Sequence, residues 1–408
     1  MYMTAQEVAE ALGVSLATVY AYVSRGLIRS EAQGVQRSRR YRAEDVRTLM
    51  QRKEGRRDLQ QVTDGVLHWG LPVLDSAITL LDEGGIFYRG YSAFELAQTH
   101  TVEQVASLLW TGGFDVSFEA LPSGWSLARW RGLLDAMVGC TLFERFQALM
   151  PLVGTEDWAA YDLRPAAVVQ SGARLLRVLV ALASGNDSLQ GSLSGTLSAA
   201  WAPAVPGAER LLQAALVLCA DHELNVSTFA ARCAASAGSP PFAVVSAGLA
   251  ALQGYRHGGG CDRVEALFAE VGAPECARDA LARRLRRGES IPGFGQPLYP
   301  GGDPRWLALR ELLGTVLPDA PELVLVDAIA TAAHELIGEY PNLDFALVAV
   351  STVLGLQSGA AIALFAMGRS IGWIGHALEQ YQSDRLIRPR ARYIGAPPGS
   401  TAPNPRDG

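Results

Sequence analysis

From Phe345 to Gly368 the chain reads FALVAVSTVLGLQSGAAIALFAMG, a run of 24 residues without a formal charge. An apolar helix of that length is long enough to cross a bilayer. The segment GLQSG at 355–359 interrupts the run near its middle, where a membrane-spanning helix would be deepest in the lipid. We therefore predict two buried helices around a break, in a protein that does not enter a membrane.

The composition is that of a packed, helix-rich globular protein. Apolar residues make up 49% of the 408 residues and charged residues 19%, which argues against disorder. From Leu67 on, long alanine- and leucine-rich stretches are broken by Gly and Pro, and strand-type alternation is nearly absent. The predicted fold class is therefore mainly α, with one small hairpin expected at the Gly84–Gly85 turn. The length allows one small domain and one large two-lobed domain.

Cysteine usage and the N-terminus indicate the compartment. The five cysteines are odd in number and never in CxxC spacing, so the sequence predicts neither a disulfide framework nor a metal site. The N-terminal stretch MYMTAQEVAEALG carries acids and lacks a basic-then-apolar signal pattern. We expect reduced thiols and a cytoplasmic location. The cysteines are Cys140, Cys219, Cys233, Cys261 and Cys276.

The first 57 residues differ in charge from the rest of the chain. They carry 11 Lys and Arg against 6 Asp and Glu, a net charge of +5, which leaves −11 for the remainder. Thr4 and Glu7 have the spacing of a capping box and predict a helix that ends at Gly13. Ser15 predicts the cap of a second helix, which ends at Gly26. The pattern is therefore helix, short turn, helix.

Apolar residues define the expected core of this segment, and a closing helix is predicted from about Ala43. The expected core positions are Leu16, Val19, Val23, Leu27 and Ile28. The arrangement resembles the winged helix-turn-helix domains of the MerR and excisionase type over residues 3–54, so we define a domain at 1–54. Residues 55–66 lack apolar periodicity and are predicted to be a linker.

The resemblance to helix-turn-helix domains implies contact with duplex DNA. In such domains the exposed positions of the second helix face the major groove, and wing arginines meet phosphates. One such domain binds weakly, so a dimer would be needed. The alternative is a small helical docking module with a solvated basic face. The candidate DNA contacts are Ser15, Thr18, Tyr22 and Arg25 on the helix, and Arg37, Arg39, Arg40 and Arg42 at the wing.

Three stretches of the larger segment carry polar groups that a core would not bury alone. They are ADHELNVSTFAAR from Ala220, LQGYRHGGG from Leu252 and EYPNLDFALV from Glu339. A fourth stretch, IPGFGQPLYPGGDPR from Ile291, has a Gly-x-Gly turn that can bring the backbone close to a ligand. Asp344 lies among apolar residues, so its proton affinity should be raised unless it is paired. A histidine such as His257 is often structural, however, and Asp344 by itself could be a helix cap.

Together with YRGYSAFELA from Tyr88 and RLIRPRARYIG from Arg385, these stretches resemble the citrate synthase family from about Leu67 to Tyr393. The resemblance implies an all-helical homodimer. In each subunit a large domain at 67–257 and 352–395 and a small domain at 258–351 close over a cleft, and 396–408 form a flexible tail. It also implies condensation of an acyl-CoA, usually acetyl-CoA, with oxaloacetate, followed by thioester hydrolysis. No cofactor is implied beyond the CoA thioester substrate.

The resemblance also assigns site residues. Asp344 corresponds to the base and His257 to the hydrogen-bond donor for the enolate oxygen, with Ser227 orienting His257. The oxaloacetate ligands would be His222, Arg305, Arg369 and Arg388, the last from the partner subunit. The backbones that would contact acyl-CoA are Gly258, Gly259, Gly260, Pro292, Gly293, Phe294 and Gly295.

One position departs from the family pattern. The family has GFGH, where a charged histidine donates to the oxaloacetate carbonyl, and this chain has Gln296 there. An amide can still donate but carries no charge, and Pro297 replaces a frequent basic residue. Two functions therefore stay open. One is a condensing enzyme, attenuated or altered in substrate. The other is a DNA-binding transcriptional regulator whose citrate synthase-like body senses oxaloacetate, citrate or CoA esters.

Overall fold

The computed structural model of the chain describes residues 2–24, 27–32, 39–43, 45–46, 74–82, 85–118, 125–187 and 191–395. The chain divides into two compact units, Met1–Asp75 and Ser76–Gly408. The predicted linker at 55–66, the predicted tail at 396–408 and two candidate DNA contacts, Arg25 and Arg37, lie outside the described residues.

The N-terminal unit is a helix-turn-helix with a small antiparallel sheet. The capping box of Thr4 and Glu7 opens α1, and Gly13 ends it in the left-handed conformation, at φ 60°. In the sheet β3 lies between β1 and β2, and Tyr41 is opposite both Met3 and Ser30. Ala43, Asp45 and Val46 are helical, where the closing helix was predicted. The elements are β1 Tyr2–Met3, α1 Ala5–Leu12, α2 Leu16–Ser24, β2 Ser30–Ala32 and β3 Arg39–Arg42.

The core of this unit differs from the prediction at two positions. Val19 and Ile28 are buried as expected, but Leu16 is 43% and Leu27 40% exposed. Leu16 is the first residue of α2, and helical side chains lean toward the N-terminus, so its side chain extends past the core. Leu27 precedes the inward-facing Ile28 in a non-helical segment. The buried core is formed by Val8, Leu12, Val19, Ile28, Tyr41 and Val46.

The larger unit begins with the predicted hairpin. Strands β4 Thr79–Asp82 and β5 Gly85–Tyr88 pair antiparallel, and β6 Tyr91–Ser92 extends the sheet on the other side of β5. The phenol of Tyr88 is fully buried and donates to the carbonyl of Val217 at 3.0 Å. The hairpin is thereby attached to the helix that leads into the predicted site.

Helices build the rest of the larger unit, which confirms the mainly α fold class. The described α-helices are α3 Ala93–Thr99, α4 Val102–Thr111, α5 Leu127–Ala136, α6 Leu142–Gly154, α7 Pro165–Ser184, α8 Leu193–Trp201, α9 Ala208–Cys219, α10 Val226–Ser236, α11 Pro241–Leu252, α12 Gly260–Val271, α13 Ala277–Arg286, α14 Pro304–Val316, α15 Glu322–Ile337, α16 Leu343–Val353 and α17 Ala360–Ser383.

The opening apolar run forms two helices around a break, as predicted. α16 ends at Val353 and α17 begins at Ala360, and both Gly355 and Gly359 have positive φ. α7 and α17 are long and apolar enough to cross a membrane, but 83% and 100% of their apolar windows are buried inside the protein. Both are therefore packed as core helices.

α17 passes through the centre of the unit at very short distances from its neighbours. A Cβ atom on Gly248 would lie 2.5 Å from the Trp373 ring, and one on Gly372 would lie 2.4 Å from the carbonyl of Ala220. Glycine at these two positions lets α17 approach α11 and the end of α9. This packing brings the middle of α17 next to the polar stretch that begins at Asp221.

Candidate functional site

Five segments far apart in the sequence meet in the larger unit. They are the turn between α9 and α10, the glycine turn before α12, the loop before α14, the first turn of α16 and the middle of α17. Hydrogen bonds and close contacts between these segments connect most of the predicted site residues.

The imidazole of His257 is hydrogen-bonded to the hydroxyl of Ser227. Its Nε2 lies 2.8 Å from Oγ of Ser227, which in turn lies 2.8 Å from Oδ1 of Asn225. The indole of Trp373 donates to the same Oγ at 3.3 Å. A serine hydroxyl has one hydrogen, so it donates to either Nε2 or Oδ1. When it donates to Nε2, a neutral imidazole carries its proton on Nδ1 and can donate from there.

His257 is neutral at physiological pH. Burial, together with the positive charge of Arg369, lowers the pKa of His257 to about 3. Burial and the charges of Arg305 and Arg369 also hold the pKa of His222 well below its ordinary value. The site therefore combines two uncharged imidazoles with two permanent cations.

Asp344 lies in the first turn of α16, which Asn342 caps. The Asn342 side chain accepts hydrogen bonds from the backbone N–H of Asp344 at 3.0 Å and from that of Phe345 at 3.3 Å. Burial raises the pKa of Asp344 to about 7, although a hydrogen bond from Cys261 and the charge of Arg305 act in the opposite direction. A carboxylate that titrates near neutral pH is suited to general base catalysis.

The glycine turn brings the segment of His257 against Asp344. A Cβ atom on Gly258 would lie 2.6 Å from the Leu252 side chain, and one on Gly259 would lie 2.4 Å from the carbonyl of Gln253. Gly260 leaves the same kind of space on the other side, where a Cβ atom would lie 2.5 Å from Oδ2 of Asp344. Only residues without a side chain allow this double approach.

The loop that precedes α14 and carries Gln296 is hydrogen-bonded to the segment at the start of α16. Gly293 and Gly295 have φ of 86° and 78°, a conformation that favours glycine. The N–H of Asn342 donates to the carbonyl of Gly293, and the N–H of Gly295 donates to the carbonyl of Tyr340, both at 2.9 Å. The next side chain is Gln296, whose Oε1 is buried without a hydrogen-bond partner in the described part of the chain.

The two buried arginines have different partners. Arg305 forms a two-bond pair with Asp303, with N–O distances of 2.9 and 2.7 Å. Arg369 is 1% exposed and donates from Nε to the carbonyl of Cys219 at 2.7 Å. Among the described residues no carboxylate pairs with Arg369. The charge of buried Asp221 acts on Arg369 without forming an ion pair, and burial still lowers the pKa of this guanidinium. Arg369 is therefore a candidate anion site.

His222 and Arg388 complete the list of predicted substrate ligands. Nε2 of His222 lies 2.8 Å from Oη of Tyr299, and the guanidinium of Arg305 lies 5.8 Å from the centre of the Tyr299 ring. Arg388 is exposed in the segment that follows α17. Its contribution to a partner subunit stays a prediction.

Several residues of the site were not predicted. Tyr299 and Asp303 lie within the stretch IPGFGQPLYPGGDPR. Their proximity in sequence to the predicted ligand Arg305 was the available signal. Cys261 and Trp373 had no local signal because their partners are 83 and 146 residues away. The predicted backbone contacts at Gly258, Gly259 and Pro292 are buried, and their role toward acyl-CoA stays a prediction.

The candidate DNA contacts lie on different parts of the N-terminal unit. Ser15 is exposed and its Oγ lies 3.0 Å from Oγ1 of Thr18, whereas Tyr22 packs against the core. Tyr20 is 55% exposed and is the more accessible tyrosine of α2. At the wing strand β3, two predicted arginines are exposed and one is half-buried. These are Arg39 and Arg40, and Arg42, respectively.

Two family descriptions match the chain. "Citrate synthase, C-terminal domain" matches residues 66–390, and "Helix-turn-helix domain" matches residues 2–54. The first match covers most of the chain. The two matched ranges do not overlap.

Curated relatives match over a similar length. A citrate synthase of Haloferax volcanii is 31% identical, with 83% of this chain and 96% of the relative covered. A 2-methylcitrate synthase of Mycobacterium tuberculosis is also 31% identical, with 76% and 84% covered. Citrate synthase 2 of Bacillus subtilis is 28% identical, with 80% and 94% covered.

Solved structures share the fold. A citrate synthase of Thermoplasma acidophilum, in a ternary complex with carboxymethyl coenzyme A and oxaloacetate, aligns with a TM-score of 0.68 and 22% identity. The alignment covers 82% of this chain and 96% of that chain. A citrate synthase of Thermotoga maritima aligns with a TM-score of 0.66 at 24% identity and the same coverage.

Proposed function

The chain belongs to the citrate synthase family, and from that premise we propose that it condenses an acyl-CoA with oxaloacetate through the site described above. The observation that carries the proposal is the buried guanidinium of Arg369, which forms no ion pair among the described residues, although the charge of Asp221 acts on it. A substrate carboxylate would pair with it directly. Guanidinium groups bind carboxylates with two parallel hydrogen bonds.

In the proposed reaction Asp344 removes a proton from the carbon next to the thioester. Nδ1 of His257 donates a hydrogen bond to the developing enolate oxygen, provided that Ser227 donates to Nε2. The enolate carbon then attacks the keto carbon of oxaloacetate, and the keto oxygen takes up a proton. Water hydrolyses the thioester and releases CoA with a free thiol. The family uses the CoA thioester as substrate, without a metal or prosthetic cofactor.

We also propose the arrangement that would complete this site. The small domain at 258–351 would close over the large domain, and Arg388 would reach the site of the partner subunit in a homodimer. Gly258, Gly259 and the loop Pro292–Gly295 would contact the acyl-CoA. We expect the reaction to take place in the cytoplasm, where the five thiols would remain reduced.

The proposal is tested by following the release of CoA thiol from acetyl-CoA and from propionyl-CoA. Release should depend on oxaloacetate, because hydrolysis alone would not need the keto acid. Both acyl groups are included because the relatives are named citrate synthases and a 2-methylcitrate synthase. Failure of oxaloacetate to stimulate release from either thioester would contradict the proposal.

Replacement of Gln296 by histidine should raise kcat. A charge-assisted hydrogen bond to the keto oxygen is roughly twice as strong as a neutral one, a difference of about 1 to 1.5 kcal/mol, which corresponds to roughly a 5- to 13-fold increase in rate. The measurement is kcat for oxaloacetate-dependent CoA release, below and above the pKa of the new imidazole.

The matched control for this substitution is Gln296→Asn, which keeps the amide but shortens its reach. We expect no gain from asparagine. If histidine also gives no gain, the deficit is not electrostatic and the pocket has a different shape from that of a citrate-forming enzyme.

A second candidate function is supported by the N-terminal helix-turn-helix unit and its exposed arginines. We propose that residues 1–54 bind duplex DNA and that the citrate synthase-like body senses oxaloacetate, citrate or CoA esters. Arg39 and Arg40 are consecutive exposed residues of β3, where phosphate contacts would be made. The buried, unpartnered Oε1 of Gln296 is also compatible with a binding site of low catalytic power.

Binding to duplex DNA should weaken steeply with salt, because phosphate contacts release counterions. The substitutions Arg39→Gln and Arg40→Gln together should reduce the slope of log affinity against log salt by about 2. Removal of residues 1–58 should abolish binding. The control is Arg131→Gln, an exposed arginine on α5, which should have no effect. A salt slope that the double substitution leaves unchanged would exclude β3 as the phosphate contact.

A further inference from the structure

Two consecutive residues at the start of α12, Gly260 and Cys261, lie next to the carboxylate of Asp344. The thiol of Cys261 donates to Oδ1, with an S–O distance of 3.2 Å. A Cβ atom on Gly260 would lie 2.5 Å from Oδ2, so any larger residue would displace the carboxylate. The position of Asp344 thus depends on Gly260 leaving space and on Cys261 providing a donor.

The thiol is held in the form that can donate. Cys261 is fully buried, and burial together with the charge of Asp344 raises the pKa of this thiol well above its ordinary value. It therefore stays protonated over the whole range in which Asp344 titrates. A thiol is a weak donor, but in a buried site it has no water to compete with.

We propose that Cys261 is a positioning residue for Asp344, and that its thiol hydrogen bond fixes the orientation of the carboxylate and sets the pH at which it becomes a base. The catalytic part of this inference rests on the proposed function, because only that function makes Asp344 a base. The hydrogen bond itself does not depend on it.

Few other groups could set this titration. The described titratable and charged groups that act on Asp344 are Asp303 and Arg305 at the start of α14 and Arg369 on α17. Cys219, at the end of α9, is also buried near Asp344. Cys261 is the one that the structure shows in direct hydrogen-bond contact with the carboxylate, so its removal should act directly on the titration of Asp344.

The first test is the pH profile of kcat/KM in the full chain. With Cys261→Ala, the apparent pKa of the acid limb should rise by roughly half a unit to one unit, as expected when a carboxylate loses one weak hydrogen bond. At pH 6, kcat/KM should fall roughly three- to tenfold, and at pH 9 it should change much less. Cys261→Ser supplies a hydroxyl donor and should restore the wild-type acid limb.

The matched control is Cys219→Ala, which removes another buried sulfur that makes no hydrogen bond to a carboxylate among the described residues. It should leave the acid limb where it is, whatever its effect on stability. Equal shifts in Cys261→Ala and Cys261→Ser, or a shift in Cys219→Ala of the same size, would mean that only packing matters and would overturn the proposal.

The second test does not need catalysis. The S–H stretching band of Cys261, identified by its loss in Cys261→Ala, should change frequency as Asp344 titrates near pH 7, and Asp344→Asn should make the band independent of pH. Gly260→Ala should weaken the frequency change by displacing the carboxylate. A band that is identified but does not respond to pH would overturn the proposal. If the band responds while CoA release is absent, the proposed function fails and the hydrogen bond stands.

Discussion

Replacement of Asp344 by asparagine should lower kcat/KM for oxaloacetate-dependent CoA release roughly 10²- to 10⁴-fold, the range expected for loss of a general base. Asparagine has nearly the same size and can still occupy the first turn of α16, but it cannot accept the proton from the carbon next to the thioester. The measurement is CoA release at saturating oxaloacetate and limiting acyl-CoA. Equal rates in the two proteins would contradict the role of Asp344.

The pH dependence of the wild-type protein gives a second reading of the same residue. The base works as a carboxylate, and the pKa of Asp344 is raised to about 7. Therefore kcat/KM should increase with pH through about 7 and then level off. An acid limb near pH 4, the ordinary range of an aspartate, would show that the carboxylate of Asp344 is not buried in the free protein and would contradict the raised pKa.

The contribution of Asp344 to the free energy of unfolding should decrease as pH rises, whereas kcat/KM should increase. Because the pKa is higher in the folded state than the ordinary value of 3.8, the folded state binds the proton more tightly than the unfolded chain. The favourable contribution is complete below about pH 4 and is lost as pH rises through about 7. Asp344→Asn should therefore unfold at a higher temperature than wild type at pH 8, with little difference at pH 4.

The control for both readings is Asp319→Asn. Asp319 is exposed in the turn between α14 and α15, so this substitution changes the net charge by the same amount without touching the site. Its kcat/KM and its melting temperature should match those of wild type at each pH.

Replacement of Arg369 by methionine should raise KM for oxaloacetate roughly 10²-fold and also make the free protein more stable. The loss of binding follows from the removal of charged hydrogen bonds to a substrate carboxylate. The gain in stability follows because burial already lowers the pKa of Arg369, which means that the folded state holds this charge at a cost. Methionine fills a similar volume without a charge.

Thermal unfolding measures both effects in one experiment. Oxaloacetate should raise the melting temperature of wild type, since a ligand that binds only the folded state stabilises it. Arg369→Met should melt higher without ligand and gain little from oxaloacetate. Arg310→Met, at an arginine paired with Asp327, is the control and should keep the response to oxaloacetate. An undiminished response in Arg369→Met would show that the dicarboxylate binds elsewhere.

Local patterns predicted much of the architecture. The capping box at Thr4, the break at 355–359 and the hairpin at β4 and β5 were all read from short stretches, because caps, glycines and apolar runs act on their own neighbours. The two errors in the N-terminal core have a tertiary cause. Leu16 has the right helical spacing for the core, but it stands at the helix end, where none of the described elements buries it.

The site was predicted less evenly. The sequence predicted His222, Ser227, His257, Arg305, Asp344 and Arg369 because their motifs are short and occur in a fixed order. The groups that set their protonation were not predicted, since a thiol at 261 or an indole at 373 acquires its partner only through the packing of α12 against α16 and of α17 against α10. No pattern of nearby residues records such a contact.

The two backbone hydrogen bonds that join Gly293 and Gly295 to Asn342 and Tyr340 also have an evolutionary consequence. They join the backbone next to Gln296, whose amide would face the keto acid, to the backbone next to Asp344, whose carboxylate would face the acyl carbon. A substitution that moves one of these groups should also move the other. We therefore expect epistasis between substitutions near Gln296 and substitutions near Asp344. A substitution that changes the preference for the acyl group should therefore also change the binding of the keto acid. The residue at position 296 should also constrain which residues are tolerated around position 344.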